Sequence, residues 1–168
     1  MKYHLKHTVK IPADKYFTVT NSKDFYDWSV EKIKLESKNI LEQSDSPTSL
    51  HRKSKMISRK VSDKTAAVIR QDHVEIIESF DADLKNGTFT WKLEPDILGK
   101  RVKVVATGKI SPEGTDSCMR DMEVDVKVSI PIIGGVIEKA IDKRSAELFG
   151  KLNSVMEEFY CNHFKKTA

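Results

Sequence analysis

The stretch DMEVDVKVSIPIIGGVIEKAI, Asp121 to Ile141, carries the strongest fold signal in the chain. Met122, Val124, Val126, Val128 and Ile130 fall on one face of an extended chain. Asp121, Glu123, Asp125, Lys127 and Ser129 fall on the other. Successive side chains of a strand point to opposite faces, so this alternation predicts an antiparallel strand dry on one side and solvated on the other. Pro131 cannot donate to a ladder and closes the strand, and Gly134-Gly135 supplies a flexible corner. Beyond it the period changes. Ile137, Ile141, Ser145, Leu148, Leu152, Val155, Met156 and Phe159 recur at spacings of three and four, an apolar helical stripe. A helix of about 30 residues is roughly 45 Å long, and it has to lie across a sheet to bury that stripe. Gly150 is tolerated in its interior at a cost of about 1 kcal/mol.

Back toward the N-terminus, Tyr3, Leu5, His7, Val9 and Ile11 alternate with Lys2, His4, Lys6, Thr8 and Lys10, which makes a first strand ended by Pro12. Aromatics cluster from Ala13 to Trp28, with Asn21-Ser22 as a break and cap, and fit two short helices. Strand-like segments follow over Ile33 to Gln43 and over Ser49 to Lys60, the second rich in Lys, Arg and Ser. Ser62 to Gln71 reads as a short helix or turn. His73 to Phe80 is strand-like, and its phase slips at Ile76-Ile77, the mark of a β-bulge or bend. Asn86-Gly87 is a hairpin signal leading into Phe89, Trp91 and Leu93. Val102, Val104, Ala106, Gly108 and Ile110 form the next strand.

These elements predict one α+β domain over residues 1–168: a curved antiparallel sheet of about six to seven strands wrapped around a long C-terminal helix, with two short helices after the first strand. Composition agrees. Hydrophobic residues make up 39% and charged residues 32% of the chain, a globular balance, and only seven Gly and five Pro leave no linker. Lys and Arg number 29 against 25 Asp and Glu, a modest net charge of +4. No nucleic-acid motif or interleaving of aromatics with basic residues accompanies it, so nucleic acid is not an expected partner. Cys118 and Cys161 stand far apart, in no disulfide or zinc pattern. The N-terminal MKYHLKHTVK lacks the apolar core of a signal peptide, and the run around Val128 to Ile137 is too short to span a bilayer. The cytoplasm is the expected compartment.

The order of elements resembles the helix-grip fold of the START-like (SRPBCC) superfamily over nearly the whole chain. Within it, the stretch from Cys118-Met119-Arg120 through Val124-Asp125-Val126-Lys127-Val128-Ser129-Ile130-Pro131 to Gly134-Gly135-Val136-Ile137-Glu138 is similar to the DUF2505 family. The Lys-rich segment Ser49 to Lys60 departs from a uniformly apolar lining. The resemblance implies a cavity between sheet and helix. In the wider superfamily such cavities bind lipids, sterols, polyketides and other hydrophobic molecules, and some members use them for cyclase, hydratase or hydrolase chemistry.

The alternation nominates cavity-lining residues: Leu5, His7, Phe89, Trp91, Val104, Val124 and Val126 from strands, and Ile137, Ile141 and Ser145 from the helix. Each of them equally suits a packed core. His7 is the titratable group on the dry face of the first strand, suited to a ligand hydrogen bond or acid/base work, or to a satisfied core histidine. The run His51-Arg52-Lys53-Ser54-Lys55, with Arg59, is the densest positive patch; Arg52, Lys53, Lys55 and Arg59 suit an anionic headgroup, a weak contact with an anionic membrane, or a plain solvated face. No GxSxG, P-loop, GxGxxG or HExxH motif occurs, and His4, His7, His51, His73 and His163 are dispersed, so no catalytic set, metal site or cofactor is read. Three readings remain open. The first is binding or transport of a small hydrophobic or amphipathic, lipid-like ligand, the second an enzyme of the cyclase or hydratase type using the same cavity, and the third a protein or membrane interaction module acting through the basic strand.

Overall fold

The structure, a computed structural model, describes residues 1–61, 63, 66–67, 70–96, 101–129 and 134–165, and the side chains of these except 134–148. The chain runs β1 (Lys2–Val9), α1 (Ala13–Thr20), α2 (Lys23–Lys32), β2 (Leu35–Asp45), β3 (Ser49–Ser58), β4 (Glu75–Asp83), β5 (Thr88–Pro95), β6 (Val102–Pro112), β7 (Cys118–Val128) and α3 (Gly134–His163). The seven strands form one antiparallel sheet in the order β1-β7-β6-β5-β4-β3-β2. This is the helix-grip architecture. The sheet has two edges, β1 and β2, and α3 packs against β7, β1, α1 and α2.

In β7 the alternation holds: Met122, Val124 and Val126 are buried while Glu123 and Lys127 are exposed. β1 repeats the pattern with Tyr3, Leu5 and His7 inward, and it lies directly on β7, His7 opposite Arg120. Ile130, Pro131 and the expected helix or turn over most of 62–71 lie outside the described residues. Phe149, Val155, Met156, Phe159 and Tyr160 carry the buried side of α3 in its described half, and Asn153 is buried among them.

Local chemistry sets the connections. Ser22 caps α2, its hydroxyl accepting from Phe25 N at 3.2 Å. The helix ends through Ile33 N to Ser29 O at 2.9 Å, and Lys34 then takes a left-handed φ of 61°. That reversal delays β2, so the strand begins at Leu35 rather than at the expected Ile33. Between β4 and β5 the Asp83 carboxylate accepts from Lys85 N and Asn86 N, each at 3.0 Å, and Gly87 adopts φ +67°. Gly108 of β6 serves closeness instead: a Cβ there would meet Asp121 O at 2.6 Å and the Phe89 ring at 2.7 Å.

The expected bulge at Ile76-Ile77 is absent. β4 pairs in unbroken register with both neighbours, and the shifts lie in β2, between Leu35 and Ser37 and between Ile40 and Glu42. Ile76, Glu78, Phe80 and Ala82 share the inner face, with Glu78 only 4% exposed. A carboxylate on the dry face of a regular strand had imitated a change of phase.

Candidate functional site

The inner face of the sheet is not uniform. Across β1, β7 and β6 it is filled by Val104, Ala106, Met122, Val124 and Val126. Across β3 and β4 the same face carries Arg52, Ser54 and Glu78, all buried. Lys38 of β2 joins them, its side chain 8% exposed. Over this second region the sheet, α1, α2 and the C-terminal half of α3 enclose a cavity of about 450 Å³. Phe25, Ile33, Met56, Ile76, Phe89, Trp91, Leu93, Leu152 and Met156 provide apolar walls; Tyr26, Lys38, Arg52, Glu78 and Arg120 are its principal polar groups.

Glu78 is the hub. Its Oε2 accepts from the Ser54 hydroxyl at 2.6 Å and the Tyr26 hydroxyl at 2.9 Å, and Lys38 Nζ lies 3.2 Å away. Its Oε1 accepts from Trp91 Nε1 at 2.9 Å. Burial alone would push this carboxyl up, but Lys38, Ser54, Arg52 and Tyr26 outweigh it and hold the group at about 2. Burial, reinforced by the Glu78 charge, drives the Tyr26 phenol well above its ordinary range. Burial also lowers Lys38, against the pull of Glu78. A carboxylate with four donors is a fixed charge, and a phenol bonded to it keeps its proton.

Two guanidiniums face the same cavity. Arg52 stacks 3.8 Å from the centre of the Tyr26 ring, and its Nη1 reaches Asn21 O only at 3.4 Å. Arg120 reaches Tyr16 OH and Phe149 O, both at 3.4 Å. The Nε of each is buried without a hydrogen-bond partner among the described residues.

Of the residues nominated from sequence, Phe89, Trp91 and Arg52 line this cavity. Val104, Val124 and Val126 are buried in the core beside it, and Leu5 packs on that core. His7 also lies outside the lining; burial and Arg120 lower its pKa, and its Nδ1 has no partner among the described residues. The side chains of Ile137, Ile141 and Ser145 lie outside the described residues.

The surface patch needs correction. Arg52 is 4% exposed, because it alternates inward with Leu50, Ser54 and Met56. The outward members are already paired: Lys53 with Glu42 at 3.4 Å and Lys55 with Glu75 at 2.7 Å. Arg59 Nε donates to Leu35 O at 3.3 Å. Adjacent strands supply the acids, which no linear run of basic residues reveals.

Tyr26, Lys38, Ser54, Glu78 and Arg120 were not nominated. A signal existed for Glu78 and Arg120, which occupy inward positions of their strands between apolar neighbours, Glu78 between Ile76 and Phe80 and Arg120 between Cys118 and Met122. A wider groove of about 890 Å³ also crosses the outer face, bordered by His4, His51, Asp81, Thr90, Thr107 and Asp121. It is open, without the enclosing walls of the inner cavity.

Residues 4–159 match the family described as a protein of unknown function, DUF2505. The chain belongs to this family. Among solved structures it is similar to TTHA0849 from Thermus thermophilus, with 16% identity, a TM-score of 0.69, and coverage of 98% of this chain and 99% of that one. A START superfamily protein from Mycobacterium smegmatis aligns with 16% identity and a TM-score of 0.62 over 94% of this chain and 97% of its own. The Zhui aromatase/cyclase from Streptomyces sp. R1128 aligns with 12% identity and a TM-score of 0.59 over 96% and 95%. At such identities the likeness establishes the fold. Among curated proteins none matches the sequence. No helix among the described residues is long and apolar enough to cross a membrane.

Proposed function

We propose that this protein binds, and carries or presents, a small hydrophobic or amphipathic ligand held between the sheet and its helices. The supporting observation is the cavity of about 450 Å³ with mostly apolar walls and a few convergent polar groups. Small-molecule sites are concave, apolar and sparsely polar in this way, at volumes of about 300–1,000 Å³. Filling it would cover Phe25, Phe89, Trp91 and Leu93 while the Glu78 network keeps its own bonds.

The enzymatic reading has less support. An acid/base catalyst works best when its pKa lies near the working pH. Glu78 is held at about 2 and Tyr26 far above its usual range, so neither exchanges a proton readily. His7 lies outside the cavity lining. In the interaction-module reading two of the outward cations, Lys53 and Lys55, are already paired with Glu42 and Glu75.

Native mass spectrometry of the protein purified from its own host, followed by solvent extraction, tests the proposal. The expected result is a bound small molecule released on denaturation. A ligand-free mass, together with no uptake of added single-chain amphiphiles such as dodecan-1-ol, would overturn it.

A further inference from the structure

Charge inside the cavity does not balance among the described residues. Four of its charged side chains are more than nine-tenths buried: Lys38, Arg52 and Arg120 are cationic, and Glu78 alone is anionic. Lys38 and Glu78 form a pair at 3.2 Å. The guanidiniums then have no carboxylate in ion-pair range among the described residues; they meet oxygens of neutral groups at 3.4 Å and aromatic faces, Tyr26 and Phe80 for Arg52 and Phe149 for Arg120. A guanidinium offers five N–H donors in a rigid fork and never loses its charge in a protein. Sequestering such a group without an anion is costly, and the cost is recovered when an oxyanion takes the fork.

Arg52 is the better placed of the two. Its partners all belong to described side chains or backbone: Tyr26 beneath it, Asn21 O at one nitrogen, and Phe80 5.8 Å away. Its Nε is buried and unpartnered. Glu78 is already saturated by Lys38, Ser54, Tyr26 and Trp91; it and Asp45 act on Arg52 through their charge, but neither carboxylate stands within ion-pair distance of the guanidinium. Apolar walls, Phe89, Trp91 and Leu93 among them, complete the same cavity.

We infer that the cavity selects an anionic single-chain amphiphile, its carboxylate or phosphate monoester gripped by the Arg52 guanidinium and its hydrocarbon lying along the Phe89–Leu93 wall. This rests on the binding function proposed above and names the class of ligand. At about 30 Å³ per water-sized group, the cavity of about 450 Å³ takes roughly 15 non-hydrogen atoms. A twelve-carbon chain with its headgroup is of that size. Arg120 adds a second positive charge to the cavity and favours the anion at longer range.

The test compares three ligands of one chain length, dodecanoate, dodecyl phosphate and dodecan-1-ol, by titration calorimetry below their aggregation concentrations. At least one anion is expected to bind tenfold or more tightly than the alcohol, and the tighter anion identifies the headgroup. R52M is expected to abolish that preference, with circular dichroism reporting that the variant is folded. R52K, which retains charge but not the fork, is expected to fall between. Equal binding of all three by the unaltered protein overturns the inference and leaves the binding function standing. A preference that survives R52M but disappears in R120M overturns the assignment to Arg52. Binding of none of the three overturns the inference, and overturns the binding function as well when the native mass is also ligand-free. The comparison in the unaltered protein needs no variant to fold.

Discussion

The two halves of the inner sheet face are built on opposite principles. On β1, β7 and β6 the inward positions hold Val104, Ala106, Met122, Val124 and Val126, closed over by α3 and, Arg120 and His7 apart, stabilised by burial. On β3 and β4, continued by Lys38 of β2, the inward positions hold Arg52, Ser54 and Glu78, equally shielded from water but stabilised by hydrogen bonds and charge. Apolar contact is non-directional, so the first half closes into solid core. Directional bonds hold side chains at fixed positions and leave space where no partner stands, so the second half borders the cavity. The aromatic set bridges them: Phe80 stacks on Phe89 at 5.8 Å, and Trp91 meets Phe149 edge-on at 5.3 Å while donating to Glu78.

This contrast can be broken at its hub. E78A strands the buried Lys38 ammonium and removes the acceptor of Tyr26, Ser54 and Trp91. Loss of one partner of a buried pair costs about 3–5 kcal/mol, and chemical denaturation should show a drop of that size. A loss below about 1 kcal/mol would mean that water reaches the network freely.

Acid sharpens the contrast with a somewhat smaller effect. Glu78 ionises near 4.5 in the unfolded chain and near 2 in the folded protein. A depressed carboxyl contributes stability that is fully present above the unfolded value and disappears as pH falls through the folded one. The expected contribution is about 3 kcal/mol, lost between pH 4.5 and 2. Denaturation curves of E78Q across this window should be flatter than those of the unaltered protein; parallel curves would remove Glu78 as the source.

The apolar half answers differently. V124A removes buried methyl groups from a position with 0% exposure, at a cost of about 2 kcal/mol. That loss should be the same at pH 4 and pH 7. A pH-dependent loss would show that the two halves are coupled through more than packing.

The smallest effect is expected on the outer face. Lys53 and Glu42 pair at 3.4 Å with both side chains well exposed. K53A should change stability by no more than about 0.5 kcal/mol, and added salt should erase the difference. A larger change would restore the basic strand to importance.

How far each half was legible follows from the same contrast. In β1 and β7 every inward position is apolar or aromatic except His7 and Arg120, and nearly every outward one is charged or polar, so hydropathy alone reports the face. In β3 the sequence SLHRKSKMIS mixes cations and hydroxyls on both faces. Lys53 and Lys55 outside look no different from Arg52 inside until a neighbouring strand is placed beside each. Glu78 produced a false bulge because charge was read as exposure. Its partners come from α2, β2, β3 and β5, at positions 26, 38, 54 and 91, and no local window contains them together.

The element types, the dry face of β1 and β7, the amphipathic terminal helix and hence the helix-grip fold were all readable along the chain, because side-chain period is a property of the local backbone. That Arg52 points inward, that Lys38, Glu78 and Tyr26 meet, and that a cavity opens beside them became visible only in three dimensions. Those outcomes depend on the curvature of the sheet and on which strands are neighbours. Both arise from contacts between residues far apart in the chain, where a buried charge settles only once its partner has been brought to it.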